Sequence, residues 1–207
     1  VYSLAVEVKE ETKLLKKLAG SINISKYEES TYTLPQQGGI NLKHRPVVVG
    51  FGPAGIFAAL LLARCGFKPI VIERGEDVDK RSLSVDKFWE ENILNTESNV
   101  SFGEGGAGTF SDGKLNTMVK DKSGRNNEVL KTLVEFNAPK DILTDPKPHI
   151  GTDLLKGIIK NIREEIIKLG GEVRFSSKLE DINYKEGYLR SIKLNNGEIL
   201  DCEVLVL

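Results

Sequence analysis

Between residues 46 and 75 the chain reads strand, glycine turn, helix, strand, an order and spacing that few folds accommodate. Val47-Val48-Val49 is a continuous β-branched run, as expected of a strand buried on both faces of a parallel sheet. Glycines end it, residues 53–64 form an Ala- and Leu-rich helical stretch, and Pro69-Ile70-Val71-Ile72-Glu73 reads as a second buried strand. A βαβ unit results, and its right-handed crossover makes the two strands neighbours.

The glycines have a further meaning. Gly50-Phe51-Gly52-Pro53-Ala54-Gly55 fits G-x-G-x-x-G, in which the first glycine makes the turn, the second admits a diphosphate and the third lets helix pack on strand. The turn opens a helix whose first N–H groups and positive dipole face an anion. Pro53 suits that first turn, where a missing N–H breaks no intrahelical bond. Glu73 closes the second strand, placed to accept hydrogen bonds from both hydroxyls of an adenosine ribose and to repel a 2′-phosphate. FAD or NAD is therefore preferred over NADP, and the fingerprint does not separate the first two; Arg74 beside it is the one residue that softens the rejection, by pairing with a phosphate.

Downstream, the pattern predicts helices over 79–94, 126–137 and 152–169, the last stopped by Gly170-Gly171. Strands are expected over 172–176, 179–184, 188–194, 198–201 and 204–207, with Asn195-Asn196-Gly197 as a hairpin turn. The fold class is thus α/β, a Rossmann-like FAD/NAD-binding domain with a central parallel sheet and a small antiparallel β-meander. Residues 1–45 read as an N-terminal extension, the tail of an upstream segment. In it Tyr2, Leu4, Val6 and Val8 alternate as in a short strand, Leu14, Leu15 and Leu18 keep helical spacing, and a turn-rich stretch from Pro35 through Gln37 to Gly39 leads onward. No chemistry is assigned to it.

The 207 residues carry 29 Lys+Arg against 30 Asp+Glu, a net charge of −1, which gives no electrostatic footprint for nucleic acid. Cys65 and Cys202 lie far apart without paired Cys or His spacing, against a disulfide framework, a zinc site or a redox CxxC, and in favour of a reducing compartment. The longest apolar stretch, near residues 56–63, falls short of the ~18 residues of a membrane span. Cytoplasm is the expected location.

Residues 103–113 hold five glycines in eleven positions. Such a loop brings backbone amides of Gly105, Gly106, Ala107 and Gly108 against a pyrophosphate or a flat ring, with the Thr109 and Ser111 hydroxyls as donors; a flexible linker is the bland alternative. Together with the run from Arg45 to Gly55, Val71-Ile72-Glu73-Arg74-Gly75, and Lys147-Pro148-His149-Ile150-Gly151-Thr152-Asp153, this loop resembles the bacterial FAD-dependent dehydrogenase-like flavoproteins of the glutathione-reductase-type FAD fold, over residues 46–207. The resemblance implies that Gly50 to Gly55 and Glu73 hold the ADP half of FAD, that the 103–113 loop approaches the phosphates and flavin, and that Leu179 lies on the strand whose backbone addresses adenine. It also implies that the last strand continues into an Ala-Thr-Gly turn, so that residues 46–207 form an incomplete FAD-binding domain of a longer oxidoreductase, with a small-molecule substrate or an electron donor such as NAD(P)H.

In a flavoenzyme the ring performs hydride transfer and the protein supplies orientation and charge. No residue stands out as a catalyst. Lys114 suits stabilising negative charge on reduced flavin but fits a solvated lysine better, and His149 reads more readily as a hydrogen-bonded turn residue than as a proton donor. Asp153 and Thr152 suit the start of a helix as cap or dipole partners, Cys65 and Cys202 suit packing, and Phe88 and Trp89 read as packing anchors rather than a flavin shield. A non-catalytic adenine-nucleotide sensor or partner-binding module is the rival that this lack of an acid, base or redox cysteine leaves open.

Overall fold

The structure, a computed structural model, describes residues 4–21, 23–28, 31–36, 38–115 and 121–207. After a short helix α1 (Glu11–Lys17), the α/β body runs β1 (Val47–Val49), α2 (Pro53–Arg64), β2 (Ile70–Ile72), α3 (Val78–Glu91), α4 (Arg125–Glu135), α5 (Thr152–Lys168), β3 (Glu172–Arg174), β4 (Leu179–Lys185), β5 (Tyr188–Leu194), β6 (Ile199–Asp201) and β7 (Leu205–Val206). Four strands form a sheet of order β3-β2-β1-β7 with every pairing parallel. The central register is Val47 on Ile70, Val48 on Val71 and Val49 on Ile72, the neighbours that the crossover rule requires. Strands β4-β5-β6 make a separate antiparallel meander, turned at Gly197, whose N–H donates to the Leu194 carbonyl at 2.9 Å.

Three layers follow from which faces are apolar. Helix α2 buries Ile56, Ala59, Leu60 and Ala63, and α5 buries Leu155, Ile158, Ile159, Ile162 and Ile166, in each case one stripe at helical spacing. Both stripes cover the sheet face that presents Val48 and Val71, with Leu133 and Phe136 from the end of α4 in the same cluster. The opposite face, Val47, Ile70 and Ile72, packs against Ile192, Leu194 and Cys202 of the meander region. A β-branched strand with no polar alternation is thus explained by burial on both sides.

Two expectations need correction, and a third narrows to one of its alternatives. Residues 4–8 form no strand, and Leu4 and Val6 are 82% and 73% exposed; an alternating pattern without a partner edge has no ladder to join. Tyr2 and Gln37 lie outside the described residues. Trp89 is not a packing anchor: it extends the inner stripe of α3 (Val78, Arg81, Val85) one turn further but is 59% exposed, while Phe88 is half-buried. At the start of α5 the cap is Gly151 and no side chain caps, so Asp153 acts there only as a first-turn carboxylate facing the helix dipole.

Ile162→Ala should lower the unfolding free energy by about 2–5 kcal/mol, because Ile162 is enclosed between α5 and the sheet, whereas Ile167→Ala, half-exposed on the same helix, should change it by less than about 0.5 kcal/mol. Urea unfolding of the two variants checks the placement of the α5 stripe.

Candidate functional site

At the carboxyl end of β1 the chain turns at Gly50, whose N–H donates to the Ile72 carbonyl at 2.7 Å and so ties the turn to β2. The side chain of Phe51 enters the core, meeting Phe175 edge to face at 6.4 Å, so its backbone is what remains at the mouth. A Cβ on Gly55 would overlap the Gly50 carbonyl oxygen, so only glycine lets α2 start this close to the turn. Gly52 caps α2 without a side chain and Pro53 follows, which leaves the N–H groups of Ala54 and Gly55 facing outward with the positive end of a twelve-residue helix.

Glu73 stands opposite, 5% exposed. Its Oε2 accepts from the Phe51 N–H at 2.7 Å and its Oε1 from the Gly75 N–H at 2.8 Å. The continuation of β3 flanks it: Ser177 N–H donates to the Glu73 carbonyl at 2.8 Å and Ser176 N–H to that of Gly75 at 2.9 Å. Leu179 begins β4 two residues later, half-buried. Arg74 does not face the turn freely. Its guanidinium forms two bonds to Glu97 Oε2, at 3.0 and 2.7 Å, and lies 4.2 Å from the centre of the Phe102 ring.

The glycine loop lies against this mouth. Gly105 N–H donates to the Phe51 carbonyl at 2.8 Å, and a Cβ on Gly106, where φ is 64°, would sit 3.1 Å from Pro53 Cδ and 3.2 Å from Gly52 Cα. Residues Ala107–Phe110 form a 3-10 turn, so the loop is folded rather than a linker. Its two hydroxyls bond within the loop: Thr109, buried, directs Oγ1 to the Glu104 carbonyl at 3.4 Å, and Ser111, exposed, donates from Oγ to the Gly108 carbonyl at 2.9 Å. Ala107 is exposed and Gly108 half-buried beside them. Further on, an antiparallel bridge joins Lys114 to His149, with Ile150 N–H donating to the Gly113 carbonyl at 2.9 Å, so the loop and the 147–153 segment meet. Lys114 pairs with Asp112 at 2.8 Å in solvent, and His149 Nε2 sits 2.6 Å from the Asp112 carbonyl oxygen, a contact between the loop and the 147–153 segment.

Sequence reasoning missed what fixes the loop. Arg81 is fully buried on α3 and donates to the carbonyls of Asn99 (2.8 Å), Val100 (3.0 Å), Glu104 (2.6 Å) and Gly106 (2.9 Å), with its guanidinium 4.6 Å from the Phe110 ring centre. Burial lowers its pKa to about 10, against the charges of Glu73 and Glu104. Glu104, also fully buried, accepts at Oε2 from Val78 N–H (2.7 Å) and Arg163 Nη1 (3.0 Å). Burial raises its carboxyl above the usual range, opposed by those two donors and reinforced by Asp77 and Asp79. The available signal was a charged residue on an apolar stripe, Arg81 between Val78 and Val85.

A cavity of about 340 Å³ opens beside Arg74 and is lined by Glu97, Ser176, Lys178 and Glu180 among others. A second of about 240 Å³, mostly apolar, lies between α2 and α4 beside Tyr32 and Leu34. Among the described residues no group of three or more His, Cys, Asp or Glu gathers to hold a metal, and no helix is long and apolar enough to cross a membrane.

No protein-family model matches the chain. An uncharacterized protein of Clostridium beijerinckii is 57% identical over 206 residues, covering 100% of this chain and 38% of that protein. The chain therefore spans little more than a third of that relative's length. Among solved structures, glycine oxidase from Bacillus cereus is 13% identical with a TM-score of 0.49, covering 79% of this chain and 54% of its own. OTEMO, in complex with FAD and NADP, is 17% identical with a TM-score of 0.48, covering 80% and 25%. At these values the site has to be read from its own geometry.

Arg81→Met should lower the unfolding free energy by about 3–5 kcal/mol, because four loop carbonyls lose their donor while the Glu104 carboxylate keeps Arg163; urea unfolding checks it. For Glu104, a native pKa above the unfolded value of 4.5 gives stability that is complete below pH 4.5 and lost as pH rises through the native titration. Unfolding free energies of wild type and Glu104→Gln compared across pH should thus move against the wild type above pH 4.5, and a pH-independent difference would contradict this.

Proposed function

We propose that residues 46–207 are the adenine-dinucleotide seat of a flavin-dependent oxidoreductase, with FAD as the dinucleotide. The observation that carries this reading is the buried Glu73 carboxylate at the end of β2, hydrogen-bonded to the Phe51 amide of an uncapped glycine turn. A carboxylate has about four acceptor positions and two are taken here, which leaves lone pairs for ribose hydroxyls. Open space at the turn supports a diphosphate there: a Cβ on Gly50 would meet nothing within 4 Å, and one on Gly52 would meet only Gly106 Cα at 3.8 Å.

In this reading the amides of Gly52, Ala54 and Gly55 bind the diphosphate, Glu73 orients the ribose, and the backbone of Leu179 borders the adenine. The loop from Gly105 to Ser111 closes the near side and excludes water, contributing backbone rather than hydroxyls. When bound, flavin supplies hydride transfer between a donor such as NAD(P)H and an acceptor whose identity belongs to the whole protein. Residues 1–45 are an appendage to this unit, and the setting is a reducing, cytoplasmic one.

The test uses Gly52→Ala, since φ of −81° and the open surroundings predict an intact fold. Purified chain should retain FAD through gel filtration, and Gly52→Ala should weaken FAD binding at least about tenfold, ~1.4 kcal/mol, with its circular dichroism unchanged. Wild type that binds NAD more tightly than FAD, or neither, would contradict the flavin assignment.

A further inference from the structure

Arg74 follows Glu73 directly, at the strand end where a 2′-phosphate would project from a bound adenosine, and an arginine at such a place ordinarily accepts that phosphate. Here it is already engaged. Both of its bonds go to one oxygen of Glu97, and the Phe102 ring on which it lies fixes the guanidinium plane. Lys178, the other cation of this cavity, has its Nζ 3.9 Å from the second Glu97 oxygen. The lining thus holds three carboxylates, Glu76, Glu97 and Glu180, against two cations, and one of the three addresses both.

We infer that Glu97 is a specificity-determining residue: by occupying Arg74 and Lys178 it withholds them from a 2′-phosphate, so the site takes adenosine with free ribose hydroxyls. This rests on the dinucleotide reading above and adds a second carboxylate to it. Glu73, buried and neutralised in part by two amides, reads the hydroxyls, while Glu97, outside it, sets the charge around them. The exclusion comes from charge rather than shape, because the cavity of about 340 Å³ has room for a phosphate. Glu97 is about half-exposed, so Glu97→Gln keeps its turn and the fold.

The experiment compares binding of ADP and 2′,5′-ADP to the full chain by isothermal titration calorimetry. Wild type should prefer ADP. In Glu97→Gln the affinity for 2′,5′-ADP relative to ADP should rise about five- to tenfold, less at high salt, and the rise should vanish in Glu97→Gln combined with Arg74→Ala and Lys178→Ala. ADP binding with an unchanged ratio in Glu97→Gln would overturn the role of Glu97 and leave the dinucleotide seat standing. A gain that survives removal of both cations would overturn it as well. Wild type that binds neither ADP nor FAD would remove the seat and this inference together.

Discussion

The bond from the Phe51 amide to the Glu73 carboxylate joins the loops that leave two adjacent parallel strands, and the rest of the site is arranged around it. A carboxylate with two amide donors in a nearly water-free position makes charge-assisted bonds that are stronger than neutral ones and hard to exchange for solvent. It ties the Gly50–Gly55 turn at the carboxyl ends of the two central strands, while Gly55 lets α2 lie close behind it. That leaves the positive end of α2 facing the same space as the carboxylate. In the proposed reading this sets an acceptor for hydroxyls beside a seat for an anion, the pairing that an adenosine diphosphate presents.

The glycine loop obtains its shape from groups that are costly to bury. Arg81 contributes a cation satisfied by four carbonyls, and Glu104 a carboxylate shared between Val78 N–H and Arg163, leaving Glu104 Oε1 without a partner among the described residues. An apolar pair of similar volume would fill the same space but leave those carbonyls, the Val78 N–H and Arg163 without their partners. What an apolar pair would not provide is the direction of the Gly103–Gly106 backbone, which the guanidinium fixes and which brings Gly106 within van der Waals reach of Gly52. Buried charge here specifies a loop conformation next to a binding mouth.

How much of this was legible in the sequence follows from how local each signal is. The βαβ unit, the glycine turn, Glu73 and the meander are written in short windows: a β-branched run, a glycine spacing, a strand-end acid and an Asn-Gly turn. The structure places their elements within a residue or two of the boundaries read from those windows. Features that depend on distant partners were not legible. The inward turn of Thr109, the engagement of Arg74 by Glu97 and the four carbonyls on Arg81 arise from contacts across the fold, which no periodicity encodes. Tertiary context also decided Trp89, whose position on the inner stripe of α3 suggested burial that the body of the fold does not extend to reach.

The dinucleotide seat requires that an adenosine diphosphate meet the chain at the glycine turn. Backbone amide spectra of the 15N-labelled chain titrated with ADP test this directly. Saturable shifts at Gly52, Ala54, Gly55 and Gly106, with Val129 and Thr132 of the apolar cavity unmoved, are the result expected. Shifts confined to the α2–α4 cavity, or none at the glycine turn at saturating ADP, would contradict it.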